Sequence, residues 1–384
     1  MLRAVVLGLG GLGLLAGLNG ALMLLGLPAP IEGGQLPAAH GPVLVLGFVG
    51  TVVALERAVA LRRRWAMVAP ALLGAGGISA VVPAGGHLGP TLALMGSAAL
   101  VAVYAALWRR QESDALAVQV LGAVAAVGAA LLWRAGAPMP AVVPWFAAFV
   151  ILTIAGERVE LARLAISPTQ ARVATAWSVV LLAGVAGATM WPGPGHAALG
   201  SGVLALVAWL LRHDVARRTA SAVGLPRYVA WSLLAGYGWL AVAGAIWLLG
   251  GAATDGPAYD AVVHAVFLGF TLAMIMAHAP VILPAVLRTR LPYRRAFWAP
   301  VLLLHASLAL RLLVGDGHGL AWARTAGGVA NVAAVLVFVA LAGWSGLRAH
   351  REDRDDRADR EQGTGRRGDP GHAGRVAAEA ELPA

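Results

Sequence analysis

The sequence contains no cysteine and no lysine, and only 12% of its 384 residues are charged. Without thiols there can be no disulfides, thiolate metal sites or cysteine-held iron–sulfur clusters. Ordinary globular chains carry roughly 25% charged residues, and at about half that share a soluble fold could not cover its own surface. Walker-type phosphate loops, dinucleotide fingerprints, HExxH pairs and nucleophile elbows are also missing, so hydrolase or nucleotide-driven chemistry has no support. The net charge of +10 would suggest a nucleic-acid partner if it were spread over a soluble surface. Here the arginines cluster in short segments between apolar runs, so no nucleic acid is expected. The solvent facing most of the chain is the lipid bilayer.

What is present is apolar: 59% of residues are hydrophobic. A spanning helix needs roughly 20 apolar residues. Such runs predict an all-α fold, a polytopic transmembrane bundle of about twelve helices. They fall at 4–27, 40–62, 66–83, 89–108, 115–134, 141–165, 172–191, 197–212, 229–250, 261–287, 298–315 and 320–347. The first run, from Met1-Leu2-Arg3 to Leu27, exceeds the roughly 7–15-residue core of a signal peptide and reads as a retained span. Residues 1–347 thus form the transmembrane domain, and 348–384 a charged cytoplasmic tail. The tail opens with Arg351-Glu352-Asp353-Arg354-Asp355-Asp356-Arg357 and reads as a charged extension of the last helix that frays into disorder.

The connections carry a second signal. Every even-numbered one is basic: Arg62-Arg63-Arg64, Arg109-Arg110, Arg163 with Arg172, then Arg212, Arg217, Arg218 and Arg227, and finally Arg288, Arg290, Arg294 and Arg295. Odd-numbered ones, such as Leu27–Ala39, Val82–Gly89, Trp191–Ala197 and Gly250–Asp260, are nearly free of arginine. Positive residues stay cytoplasmic. Both termini are therefore expected in the cytoplasm, with the chain crossing a bacterial-type inner membrane.

Spans two, six and ten contain similar segments. In Gly47-Phe48, Ala148-Phe149 and Gly269-Phe270 a small residue precedes phenylalanine, and an ionisable residue follows nine positions after the small one: Glu56, Glu157 and His278. The regular interval suggests three repeats of four helices. Spans two and ten also each begin with a histidine, His40 and His264, at depths differing by only about 3 Å. Two imidazoles at matched depth suit the two faces of a haem iron, or one copper ion. His278 and His305 enter spans ten and eleven from the same side and form a second candidate metal pair, or an interhelical hydrogen bond.

Other polar residues have plain readings beside the chemical ones. Glu56-Arg57 and Glu157-Arg158 lie near the cytoplasmic ends of their helices. Neighbours on a helix point about 100° apart, so each Glu is expected to pair with another helix rather than with its own neighbour. An interhelical salt bridge and a proton or ion path both fit. Arg311, deep in span eleven, either snorkels outward or neutralises a cofactor propionate. His87, His196, His213 and His318 read as solvated. Pro280 and Pro284 follow His278 and should free carbonyls for neighbours or a ligand.

Taken together, His40 with Gly47-Phe48, and His264 with Gly269-Phe270 and His278, resemble the NnrS family of haem- and copper-containing membrane proteins. More distantly they resemble subunit I of haem–copper oxidases. The resemblance covers residues 1–347. It implies haem or copper held at His40 and His264, nitric oxide as a small-molecule ligand, and a role in nitrosative stress or respiration. Spans six and seven lack the histidines that an oxygen-reducing copper centre uses, so oxygen reduction is not expected. A competing reading is a secondary, proton-coupled transporter with Glu56, Glu157 and His278 along its path. A third is an assembly factor whose histidines only stabilise packing.

Overall fold

The computed structural model describes residues 2–287 and 290–367. Twelve helices in it are long and apolar enough to cross a membrane, and no β-strand occurs among the described residues. In chain order they are α1 Leu2–Leu24, α2 Leu36–Leu61, α3 Arg64–Val81, α4 Leu88–Trp108, α5 Asp114–Arg134 and α6 Met139–Ala162. The second half comprises α7 Pro168–Met190, α8 Pro192–His213, α9 Leu225–Gly250, α10 Gly256–Leu287, α11 Arg295–Asp316 and α12 Ala321–Arg367.

Local chemistry sets the helix ends. The Ser113 hydroxyl caps α5 by accepting from the Leu116 N–H, and Ser167 with Gln170 forms a capping box on α7. Gly136 and Gly251 follow α5 and α9 at positive φ, 74° and 72°, which glycine adopts without a Cβ penalty. The connections are short, so consecutive helices return antiparallel. The even-numbered, arginine-bearing connections therefore share one face of the bundle.

Lipid tails are as apolar as leucine, so helices in a bilayer associate through close packing of small residues. Where α2 crosses α3, Gly47 and Gly77 meet backbone to backbone, and a Cβ on Gly47 would stand 2.9 Å from the Gly77 Cα. On α6, Gly156 meets Gln119 and the Ala115 carbonyl of α5; on α8, Gly195 meets Ala188 of α7. The most enclosed helices are α6 and α10. In their most apolar stretches 72% and 61% of residues are buried, against 33–56% elsewhere. Two of the three helices that carry the repeated segments are therefore the most enclosed in the bundle.

Three helices depart from α geometry. π-helical turns occupy Val43–Gly50 of α2, Ala265–Leu272 of α10 and Leu310–Asp316 of α11. The first two each contain the Gly-Phe pair and begin one to three residues after a histidine. α6 is α-helical throughout.

The last helix runs on past the twelfth apolar run, as the reading of a charged helical extension has it. It continues through the charged segment to Arg367, helped by an Arg348–Glu352 pair at 3.1 Å. Residues 368–384, on which the expected disorder falls, lie outside the described residues, as does Arg288.

Candidate functional site

A polar layer crosses the bundle toward its arginine-rich face. From α2, the Arg57 guanidinium meets Glu56 Oε1 at 2.5 Å and Glu157 Oε1 of α6 at 3.3 Å, both through Nη2. Its Nη1 donates to Gln119 Oε1 of α5 at 3.3 Å. Glu56 therefore pairs with its own neighbour, contrary to the expectation from helix geometry. The 100° offset separates Cβ directions, but a long arginine side chain curls back far enough to bridge a neighbouring carboxylate and a facing one. One guanidinium thus serves two carboxylates and ties three helices together.

Arg158 behaves differently. It is buried at 6% exposure, its Nε makes no hydrogen bond, and no carboxylate lies within ion-pair distance among the described residues. It stands within electrostatic reach of Glu157, Tyr237 and His278. The Tyr237 hydroxyl donates to Asp214 Oδ2 at 2.5 Å, so a buried carboxylate is tied to the tyrosine that Arg158 approaches.

His278 is placed by α10. Its Nδ1 donates to the Met274 carbonyl at 2.7 Å. A carbonyl only accepts, so the neutral ring carries its proton on Nδ1 and presents a lone pair on Nε2. That Nε2 is buried and makes no hydrogen bond. Two residues on, Pro280 has no N–H to give the Met276 carbonyl, and the Tyr228 hydroxyl of α9 donates to it instead at 3.0 Å. Proline thus frees a carbonyl for a neighbour, as expected. His305 does not share this environment. Its Nδ1 accepts from the Trp239 indole at 3.1 Å, and its own Nε2 is buried without a partner.

Glu56, Glu157 and His278 line one cavity of about 1380 Å³. Its walls come from α1, α2, α6, α10 and α12 and are mostly aliphatic, with Thr153 and Thr271 among the few polar groups. Arg290 and His350 border its arginine-rich end. Thr153 Oγ1 is buried and unpaired, like His278 Nε2. His40, His264 and His305 are not among the lining residues.

A second polar cluster occupies the opposite face. His40 Nδ1 lies 2.7 Å from the Gly17 carbonyl of α1, and His264 Nδ1 lies 2.9 Å from the Asp260 carbonyl. His264 Nδ1 is also 3.2 Å from Asp260 Oδ1. The two imidazoles are within electrostatic reach of each other and of Arg311. Arg311 neither snorkels nor stands open. It grips Asp260 with two hydrogen bonds of 2.7 and 2.8 Å. Asp316 is held by Arg324 at 2.7 Å and keeps one buried oxygen unpaired.

Asp260 went unnoticed in the sequence, although it sits one turn before His264 where an acid can support an imidazole. His196, expected to be solvated, is buried with Nδ1 2.7 Å from the Pro192 carbonyl. The helix begins at Pro192, a residue type at home in a first turn, and this folds His196 inward. His87 and His318 are exposed and His213 is half-buried. Among the described residues, no three His, Cys, Asp or Glu side chains converge as a metal site would require.

Twelve membrane-length helices around a buried polar layer define a multi-pass integral membrane protein. The chain belongs to the family described as a domain of unknown function, DUF8744, whose profile matches residues 3–347. No curated protein and no solved structure matches it.

Proposed function

We propose that this chain is a proton-coupled secondary carrier, with its arginine-rich face toward the cytoplasm. The reading rests on one observation. Glu56, Glu157 and His278, the ionisable residues of three similar segments on α2, α6 and α10, line one cavity. Ionisable groups are costly inside a membrane and mark ion or substrate paths when they face a cavity. Carboxylates and imidazoles are also the groups that exchange protons, and sites between internal repeats recur in carriers. Freedom from native cysteine makes the test direct. Ile275→Cys and Val53→Cys would be treated with a membrane-impermeant maleimide in right-side-out and in inside-out vesicles. A carrier exposes its cavity to each side in turn, so both orientations should label. Labelling from one side only would overturn carriage and leave a fixed binding cleft.

The second cluster favours a second reading, haem at His40 and His264, in line with the NnrS resemblance. In each ring Nδ1 is engaged, by a backbone carbonyl or by Asp260, and this leaves Nε2 as the nitrogen for a ligand. Histidines that hold metals are oriented in this way. The donor set fits a two-imidazole iron; a copper site of three or more such ligands is not formed among the described residues. A haem there would supply one-electron or nitric oxide chemistry, with a place in nitrosative-stress tolerance or respiration. A reduced-minus-oxidised spectrum of the purified protein tests it. The haem band should vanish in His40→Ala and in His264→Ala, and a colourless preparation would sink the reading.

A further inference from the structure

We propose that the cavity holds an anionic glycerophospholipid from the leaflet at the arginine-rich face, admitted sideways between α1 and α12. The cavity runs from that face to the middle of the bundle. Along α12 its lining extends from Val335 to Leu347, about 18 Å at 1.5 Å per residue. One leaflet of a bilayer's hydrocarbon core is about 15 Å deep. At about 1380 Å³ the cavity also exceeds the roughly 300–1,000 Å³ of ordinary small-molecule pockets. Length, volume and a mostly aliphatic wall together suit acyl chains.

The route of entry follows from how α1 and α12 meet. In the half away from the arginine-rich face, Gly328 of α12 packs on Leu25, just beyond α1; a Cβ on the glycine would stand 2.7 Å from the leucine side chain. Leu14, Leu18, Val332 and Val335 continue in one apolar cluster. Nearer the arginine-rich face, Gly11 and Gly343 line the cavity, and a Cβ added at either would meet nothing within 4 Å. Val339 and Leu347 line it too, yet are 43% and 66% exposed. An exposed aliphatic side chain on a membrane-spanning stretch faces lipid, so cavity and bilayer are continuous along this slot.

The sign of the head group comes from the mouth. Arg290 and His350 border the cavity at the level of a lipid head, and both are exposed. Arg290 has an interaction of its own, but a guanidinium offers five N–H donors and can hold a phosphate oxygen as well. Deeper in the wall, Glu56 and Glu157 share Arg57, and Arg158 lies within reach of Glu157, so that layer adds no net charge. The proposed topology turns the mouth to the cytoplasm, where basic pockets between helices bind anionic head groups. On the carrier reading the lipid is the cargo; the site itself does not depend on carriage.

Native mass spectrometry of the full-length protein in a neutral detergent would compare phosphatidylglycerol with phosphatidylcholine carrying the same chains. We expect one phosphatidylglycerol to be retained at least ~5-fold more tightly, the contribution of one arginine near an anionic surface. Arg290→Gln, a change at an exposed position, should bring the two lipids level. Gly11→Phe and Gly343→Phe place a ring in the slot and should abolish retention. Gly238→Phe, on an exposed stretch of α9 away from the cavity, should not. Equal retention of the two lipids by the native protein would overturn the proposal. So would retention unchanged in both slot variants, since that marks lipid of the outer belt. The maleimide experiment decides carriage separately. One-sided labelling with the lipid preference intact would refute carriage and leave the site, whereas two-sided labelling without the preference would refute the lipid and leave the carrier standing.

Discussion

Replacing Arg57 by leucine removes the cation that Glu56 and Glu157 share, and the donor to Gln119 with it. The size of the effect depends on how far the three charges are removed from water. Fully exposed pairs contribute about 0–1 kcal/mol, whereas taking one partner from a buried pair costs about 3–5 kcal/mol. The side chains here are 17%, 25% and 19% exposed, between those limits and nearer the buried one. We therefore expect Arg57→Leu to lower stability by about 2–4 kcal/mol. Most of that loss would come from two carboxylates deprived of the guanidinium they share. Removing one of them should repair much of the damage, so Arg57→Leu with Glu157→Gln should be more stable than the sum of the single changes predicts, by about 1–3 kcal/mol. The assay is unfolding of all four proteins in one detergent, followed by fluorescence from the 13 tryptophans. A neutral Arg57→Leu, or strictly additive changes, would refute the view that these charges act as a unit.

Four further substitutions probe the frame around that layer. Gly47→Ala should cost about 1–3 kcal/mol in the same unfolding assay, because the new methyl meets the Gly77 backbone, which cannot turn aside. Gly238→Ala, with open space around it, should instead be neutral or stabilising by up to about 1 kcal/mol. Tyr228→Phe strands the Met276 carbonyl and should cost about 1–3 kcal/mol. In a Pro280→Ala background that cost should shrink, since the helix then supplies its own N–H; unfolding midpoints of the four proteins decide this. Arg311→Leu should destabilise by about 2–4 kcal/mol, and Asp260→Asn in the same chain should recover part of the loss.

The sequence makes the spans legible because length and apolarity are local properties. All twelve appear, and the largest boundary errors have identifiable causes. Helix α8 starts at Pro192 instead of residue 197, since a Pro-Gly-Pro run that reads as a loop is also a good first turn. The same misreading hid the burial of His196. The extension of α12 beyond 347 was legible, since mixed charge does not forbid a helix. Side-chain partnerships are less visible. That Glu56 would meet Arg57 depends on rotamers, and that Arg311 would meet Asp260 depends on how α10 and α11 turn toward each other. An acid four residues before His264 was nevertheless a usable signal in a chain with only 19 acidic residues. The common offset of Glu56, Glu157 and His278 could be read directly, but a shared cavity could not, because it requires three distant segments to face one space.

The π-helical turns in α2 and α10 bear on how the family can vary in length. A π-turn accommodates a surplus residue by widening locally, so its flanks keep their register. Deleting one residue within Val43–Gly50 or Ala265–Leu272 can close the turn to ordinary α geometry with both flanks in place. The same deletion within α6, which has no such reserve, would rotate everything beyond it by about 100°. It would swing Glu157 away from Arg57. Insertions and deletions in related chains should therefore collect at the two widened turns and spare the uniformly α-helical α6 between them.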